Sequence, residues 1–76
     1  MEFLFTTTLT VNEKAVIYEV HFADDKYTFL PKLEENKPGS FSFKREHDEW
    51  HDQDIISPKL KTQAINALEG YLMAQH

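Results

Sequence analysis

The chain has 76 residues, a formal net charge of −5 at pH 7 and no cysteine. A chain of this length buries only about 60% of its unfolded surface, so we expect one domain with a modest core over residues 1–76. Without cysteine the chain cannot form disulfides, thiolate nucleophiles or cysteine-based metal sites. Its negative charge repels a phosphate backbone, and we therefore expect no nucleic-acid partner.

The same composition argues against membrane association. No segment has the roughly 20 consecutive apolar residues that a membrane-spanning helix needs, and no basic amphipathic stretch suits a membrane surface. The N-terminal residues have the pattern of a strand and lack the basic and apolar regions of a signal peptide. We therefore expect a cytoplasmic protein that makes no membrane contact.

The first part of the chain contains two long runs in which apolar and polar residues alternate with the period of a β-strand. These runs predict strands over residues 2–11 and 15–23. A two-residue turn at Asn12-Glu13 would join them, although Glu tolerates the required positive φ poorly, so a longer or bulged loop also fits. The two-residue turn pairs residues of one face: Phe3 with Phe22, Phe5 with Val20, Thr7 with Tyr18, and Leu9 with Val16.

Two further strands are predicted over residues 26–31 and 40–46. A two-residue turn at Asp24-Asp25 pairs Phe22 with Tyr27 and Val20 with Phe29. A slip of one residue in either hairpin would move every apolar side chain to the other face, so the agreement of the two registers predicts an antiparallel meander. Because proline cannot donate to a ladder, the third strand should end near Pro31, and residues 34–39 should form a loop.

One helix is predicted near the C-terminus, over residues 58–74. Ser57 is suited to cap the free N–H groups of its first turn, and Pro58 to occupy the first helical position. At about 100° per residue its apolar side chains share one broad arc: Leu60, Ala64, Ile65, Ala67, Leu68, Tyr71 and Leu72. The sequence therefore predicts an α+β fold, a four-stranded antiparallel β-meander with one C-terminal helix packed on one face.

The predicted sheet has two different faces. The apolar face, expected beneath the helix, carries Phe3, Phe5, Val20, Phe22, Phe29, Phe41 and Phe43. The opposite face is rich in threonine, and an ordinary solvated sheet face is the simplest interpretation of it. The alternative is that this face, or a free edge strand, forms a homodimer. The candidate residues of such an interaction surface are Leu4, Thr6, Thr8, Ile17, Glu19, His21 and Leu30. Trp50 is a further candidate as a binding anchor, or else it folds over the open end of the core.

Residues 46–54 concentrate two imidazoles and five carboxylates, all of which are possible ligands of a divalent metal. The candidate ligands are His47, Asp48, His51 and Asp52. The HExxH motif of zinc hydrolases is absent, and a position directly after a strand favours a solvated acidic turn. A divalent-metal-binding or metal-dependent hydrolytic domain is therefore the alternative function.

Catalytic constellations are weak throughout the sequence. His21 and Glu19 could form a base with its orienting carboxylate, but no nucleophile or pocket accompanies them, and no phosphate-binding loop is present. We therefore expect a non-catalytic domain without a cofactor. It would act by protein–protein contact or self-association, either as a homodimer or with another protein partner.

Overall fold

The computed structural model describes residues 2–32, 39–54 and 56–75. These residues form five strands and one helix: β1 (Glu2–Val11), β2 (Lys14–Ala23), β3 (Lys26–Pro31), β4 (Phe41–Glu46), β5 (Glu49–Asp52) and α1 (Pro58–Ala74). The strands make one antiparallel sheet in chain order, β1-β2-β3-β4-β5. The predicted α+β fold with an antiparallel sheet and a C-terminal helix is confirmed. Most of the predicted loop over residues 34–39 lies outside the described residues.

The sheet has five strands, and the prediction of four is wrong. The missed strand, β5, contains only one apolar residue, Trp50, so its sequence has no apolar alternation. It forms because Glu46 pairs with Glu49 and Arg45 with Trp50, which continues the ladder of β4. Trp50 then packs at the margin of the core. The segment predicted as a polar turn is therefore a hairpin whose turn is only two residues long.

Three two-residue turns connect neighbouring strands, and every central residue in them has a positive φ. The turns are Asn12-Glu13, Asp24-Asp25 and His47-Asp48, with φ between 50° and 65°. Positive φ at both central positions is typical of the type I′ hairpin turn, whose twist matches that of the flanking strands. Asn and Asp tolerate this backbone region, whereas Glu13 and His47 adopt it at a steric cost. Between β1 and β2 the short turn is therefore formed, and the longer-loop alternative is not.

Relief of this cost gives a first prediction. Glu13→Gly is expected to raise the free energy of unfolding by about 0.5–1 kcal/mol, because glycine adopts the φ of 65° at this position without a Cβ clash. Urea denaturation followed by circular dichroism measures the change. The matched control is Ala15→Gly within β2, where glycine only adds flexibility and should destabilise the fold. Equal destabilisation by both substitutions would contradict the turn geometry.

A β-bulge near the start of β1 changes which side chains face the helix. The register shifts between Phe3 and Phe5, so Phe3 pairs with His21 and not with Phe22. Because an extra residue reverses the alternation, Leu4 packs against the core while Phe3 is 53% exposed. The predicted positions of Phe3 beneath the helix and Leu4 on the opposite face are therefore wrong.

From Phe5 onward the predicted registers are confirmed. Phe5 pairs with Val20 and Val20 with Phe29, and Val20 is fully buried. The buried core consists of Leu9, Tyr18, Val20, Phe29, Phe41, Phe43, Ala64 and Leu68. Ala64 and Leu68 are its two helical members, so α1 covers the aromatic face of the sheet as predicted. We call this face the inner face.

The predicted start of α1 is also confirmed. The Ser57 hydroxyl accepts a hydrogen bond from the N–H of Leu60 at 3.2 Å, and Pro58 occupies the first turn. Near the other end of the helix, Tyr71 stacks on Phe5 with the ring centroids 4.6 Å apart. Within the described ranges, no helix combines the length and apolar character needed to cross a bilayer.

Candidate interaction surface

The side of the sheet opposite α1, which we call the outer face, lacks a covering element among the described residues. Strand register arranges its side chains in rows: Phe3 beside His21 and Thr28, Thr6 beside Glu19 and Leu30, and Thr8 beside Ile17. Of the large apolar side chains here, Phe3 is 53% exposed and Ile17 is 41% exposed. The structure thus brings together all the sequence-predicted surface residues except Leu4 and Trp50, and adds Phe3.

A polar cluster lies within this outer face. His21 Nε2 is 3.1 Å from Glu19 Oε1, and Lys32 Nζ is 3.8 Å from Glu19 Oε2. The ring of Phe3 meets the His21 ring edge-on, with the centroids 5.5 Å apart. These contacts hold the imidazole between a carboxylate and an aromatic ring. They position His21 within the surface, and none of them activates a nucleophile.

β1 forms one edge of the sheet, and none of the other described strands pairs with its outer side. The side chain of Gln63 in α1 bonds both backbone groups of Thr10: its Oε1 accepts from the Thr10 N–H at 2.8 Å, and its Nε2 donates to the Thr10 carbonyl at 2.9 Å. The two backbone groups of Thr10 therefore point away from β2. Because the direction alternates along a strand, those of Thr8 and Thr6 point to the same open side. Among the residues that the structure describes, Gln63 fills one position of an otherwise open ladder.

The sequence left open which edge is used, because Gln63 lies outside the apolar arc predicted for the helix and nothing in its position indicates a contact with Thr10. The composition of β1 already held a signal. Glu2 is its one charged residue, and the strand contains neither proline nor lysine, the residues that commonly protect an edge strand. Ten residues of β-favouring sequence without such protection are suited to strand pairing.

The opposite edge, along β5, differs in length and in charge. β5 is four residues long and carries Glu49, His51 and Asp52. Asp52 is bound to α1, because Lys61 Nζ donates to Asp52 Oδ1 at 3.0 Å. A short, charged edge strand resists pairing with another chain. The two edges of the sheet are therefore unequal, and β1 is the one suited to association.

Trp50 lies on the inner face and not with the outer-face residues. Its ring contacts Tyr27 at a centroid distance of 5.4 Å, and the guanidinium carbon of Arg45 lies 4.7 Å from the ring centroid. The contact with Arg45 is a cation–π interaction. Beside it an open cleft of about 340 Å³ is lined by Arg45, Glu69, Leu72 and Met73. The contact with Arg45 lies within the β4–β5 hairpin, and the contact with Tyr27 joins the hairpin to β3.

The four candidate metal ligands are spread over the β4–β5 hairpin. His47 and Asp48 form its turn, and Asp48 lies 3.9 Å from Arg45. His51 and Asp52 are consecutive in a strand, so their side chains point to opposite faces. The hydrogen bond from Lys61 holds the pKa of the Asp52 carboxyl below its ordinary range. Across the residues that the structure describes, no three His, Asp or Glu side chains cluster so as to hold a metal ion.

This placement gives a second prediction. Titration with Zn²⁺, Ni²⁺ or Mn²⁺ is expected to produce no saturable heat and no shift in the midpoint of thermal unfolding, because His51 and Asp52 cannot converge on one ion. Isothermal calorimetry and differential scanning fluorimetry make the measurement. Saturable binding that His51→Ala abolishes would contradict the prediction and restore the metal hypothesis.

The chain matches no protein-family model, and no curated protein or solved structure is significantly similar to it.

Proposed function

We propose that this chain is a non-catalytic protein-interaction domain that binds by adding a polypeptide strand to the open edge of β1. The observation that carries the proposal is the pairing of Thr10 with Gln63, which fixes the outward direction of the backbone groups of Thr8 and Thr6. An unpaired row of N–H and C=O groups is a template for another strand.

The composition supports a protein as the binding partner. A charge of −5 disfavours a phosphate backbone, whereas an added strand needs only backbone groups and a few apolar contacts. Phe3 and Ile17 supply exposed apolar surface close to β1. The lack of cysteine suits a reducing compartment, and we place the domain in the cytoplasm on that ground.

The free energies of strand addition predict a weak interaction. Each backbone hydrogen bond contributes a net of about 0.5–1.5 kcal/mol, and association costs at least about 4 kcal/mol in lost rigid-body freedom. Burial of a half-exposed side chain of β1 such as Phe3 adds about 1 kcal/mol. The balance favours reversible association at high concentration, in the class of transient contacts.

A labelled peptide with the sequence of residues 2–11 tests strand addition, because β1 itself is a strand of suitable composition. We expect the folded domain to bind this peptide, with a rise in fluorescence anisotropy. The substitution Thr8→Pro in the domain should abolish the binding, because it removes the N–H at the open edge. Thr8→Ala keeps that N–H and should bind normally. A scrambled peptide controls for nonspecific apolar association.

The fold of the Thr8→Pro variant is checked by circular dichroism. Its N–H points away from β2, so the ladder between β1 and β2 should survive the substitution. Thr7→Pro is the contrasting variant, since it removes an N–H that bonds β2, and we expect it to unfold the domain. Absence of peptide binding, or equal binding by Thr8→Pro and Thr8→Ala, would contradict the proposed function.

A further inference from the structure

We infer that the strand received by β1 is the β1 of a second copy of this chain, running antiparallel about a twofold axis at Thr7. The inference rests on the proposed function and names its partner. In a symmetric dimer the same patch is used by both subunits, so the open edge of β1 must complement itself. β1 meets this condition in one register.

The two ends of β1 select that register. An axis at Thr7 places Thr6 opposite the partner's Thr8. By symmetry, Thr8 lies opposite the partner's Thr6, so the open N–H and C=O groups of both residues are paired in each subunit. An axis at Thr8 would place Thr6 opposite the partner's Thr10, and Gln63 already forms hydrogen bonds with both backbone groups of Thr10. An axis at Thr6 would set Thr8 against Leu4, where the bulge interrupts the strand. Gln63 and the bulge thus limit pairing to the stretch centred on Thr7.

Electrostatics permits the same register in spite of the net charge. Each subunit carries a charge of −5, but within β1 the one charged residue is Glu2. With the axis at Thr7, Glu2 falls opposite the Asn12 turn of the partner and outside the paired stretch. The facing side chains on the outer face are threonines, whose pairing across strands is favourable. No like charges oppose each other across the new ladder.

The helices also fit this arrangement. A twofold axis perpendicular to the sheet puts both copies of α1 on the same side of the extended sheet, next to each other. Since Gln63 reaches the open edge, the helix face above that edge is known, and helical spacing adds Ala67, Gly70 and Ala74 to it. These side chains are small, and a Cβ added at Gly70 would meet nothing within 4 Å. Small residues allow two helices to approach closely above the paired strands.

Cysteine cross-linking tests the register directly, because the chain contains no cysteine of its own. Thr7 would face the partner's Thr7 as a non-hydrogen-bonded pair with a Cα separation of about 4.5 Å, within the range of a disulfide. We expect Thr7→Cys to form a covalent dimer upon mild oxidation of the full chain at high micromolar concentration. Sedimentation velocity of the unmodified chain under reducing conditions should show a reversible dimer.

Ile17→Cys is the matched control on the outer face of β2. In the proposed dimer, Ile17 of the partner subunit lies three strand spacings away and is offset along the strand. The separation is therefore more than about 14 Å, which no disulfide can bridge. Cross-linking of Ile17→Cys but not Thr7→Cys would overturn the inference in favour of dimers that stack their outer faces. A chain that binds the β1 peptide but remains monomeric would overturn the second copy as partner and leave the proposed function intact. Failure of peptide binding would instead contradict the proposed function itself.

Gly70→Gln separates the dimer contact from the stability of the subunit. In the isolated subunit this position is open, so a better helix former should raise the midpoint of thermal unfolding. In the dimer the added side chain lies between the two helices, and we expect dimerisation to weaken by about tenfold or more. Glu69→Gln, one residue away, should leave dimerisation unchanged. An unaltered dimer in Gly70→Gln would contradict the packing of the two helices.

Discussion

Phe29→Ala is expected to leave much of the protein unfolded at room temperature. Phe29 is fully buried at the centre of the sheet, where its ring stacks on Phe41 at 4.9 Å and meets Tyr18 and Phe43 edge-on. Truncating a buried phenylalanine costs about 3–5 kcal/mol. A domain of this size has a total stability near the lower end of about 5–15 kcal/mol. The loss therefore takes most of the available stability.

Urea denaturation followed by tryptophan fluorescence measures this loss, since Trp50 packs against the same core cluster. Phe3→Ala is the matched control, because it deletes the same side chain from an exposed position on the outer face. We expect it to change the free energy of unfolding by less than about 1 kcal/mol. Similar effects of the two substitutions would mean that the sheet does not place Phe29 in the core.

Tyr18→Phe is expected to stabilise the protein by about 1–2 kcal/mol. Tyr18 is fully buried, and its hydroxyl has no hydrogen-bond partner among the described residues. A buried polar group without a partner costs about 1–3 kcal/mol relative to its hydrated state. Phenylalanine retains the ring contacts with Phe29 and Phe41 and removes only the hydroxyl. Chemical denaturation of the two proteins measures the gain.

The pH dependence of the free energy of unfolding gives an independent test of the burial of the Tyr18 hydroxyl. Burial raises the pKa of Tyr18 above its ordinary value of 10.0, so the folded protein keeps this proton at a pH where the unfolded chain loses it. The unfolded state is then favoured as the pH rises above about 10. The stability advantage of Tyr18→Phe should grow in that range. A destabilised Tyr18→Phe variant would contradict the prediction that the hydroxyl is buried without a hydrogen-bond partner.

The sequence by itself determined the alternating strands β1, β2 and β3 and their pairing from Phe5 onward. In these registers the residues that form the core, such as Leu9, Val20 and Phe29, share one face, and a one-residue slip would expose them all. It also determined the start of α1, since Ser57 and Pro58 act on the nearest turn of backbone. These features depend on residues close in the chain or on a period-two pattern of apolar residues, and both are visible in the sequence alone.

The tertiary structure alone decided β5, the bulge at Leu4 and the state of the β1 edge. β5 has almost no apolar pattern and depends on a ladder partner in β4. The bulge exchanges the faces of Phe3 and Leu4 through a local register shift that alternation cannot encode. The contact between Gln63 and Thr10 joins residues 53 positions apart. Such features arise from packing between elements distant in sequence, and they define the surface at which we expect another strand to bind.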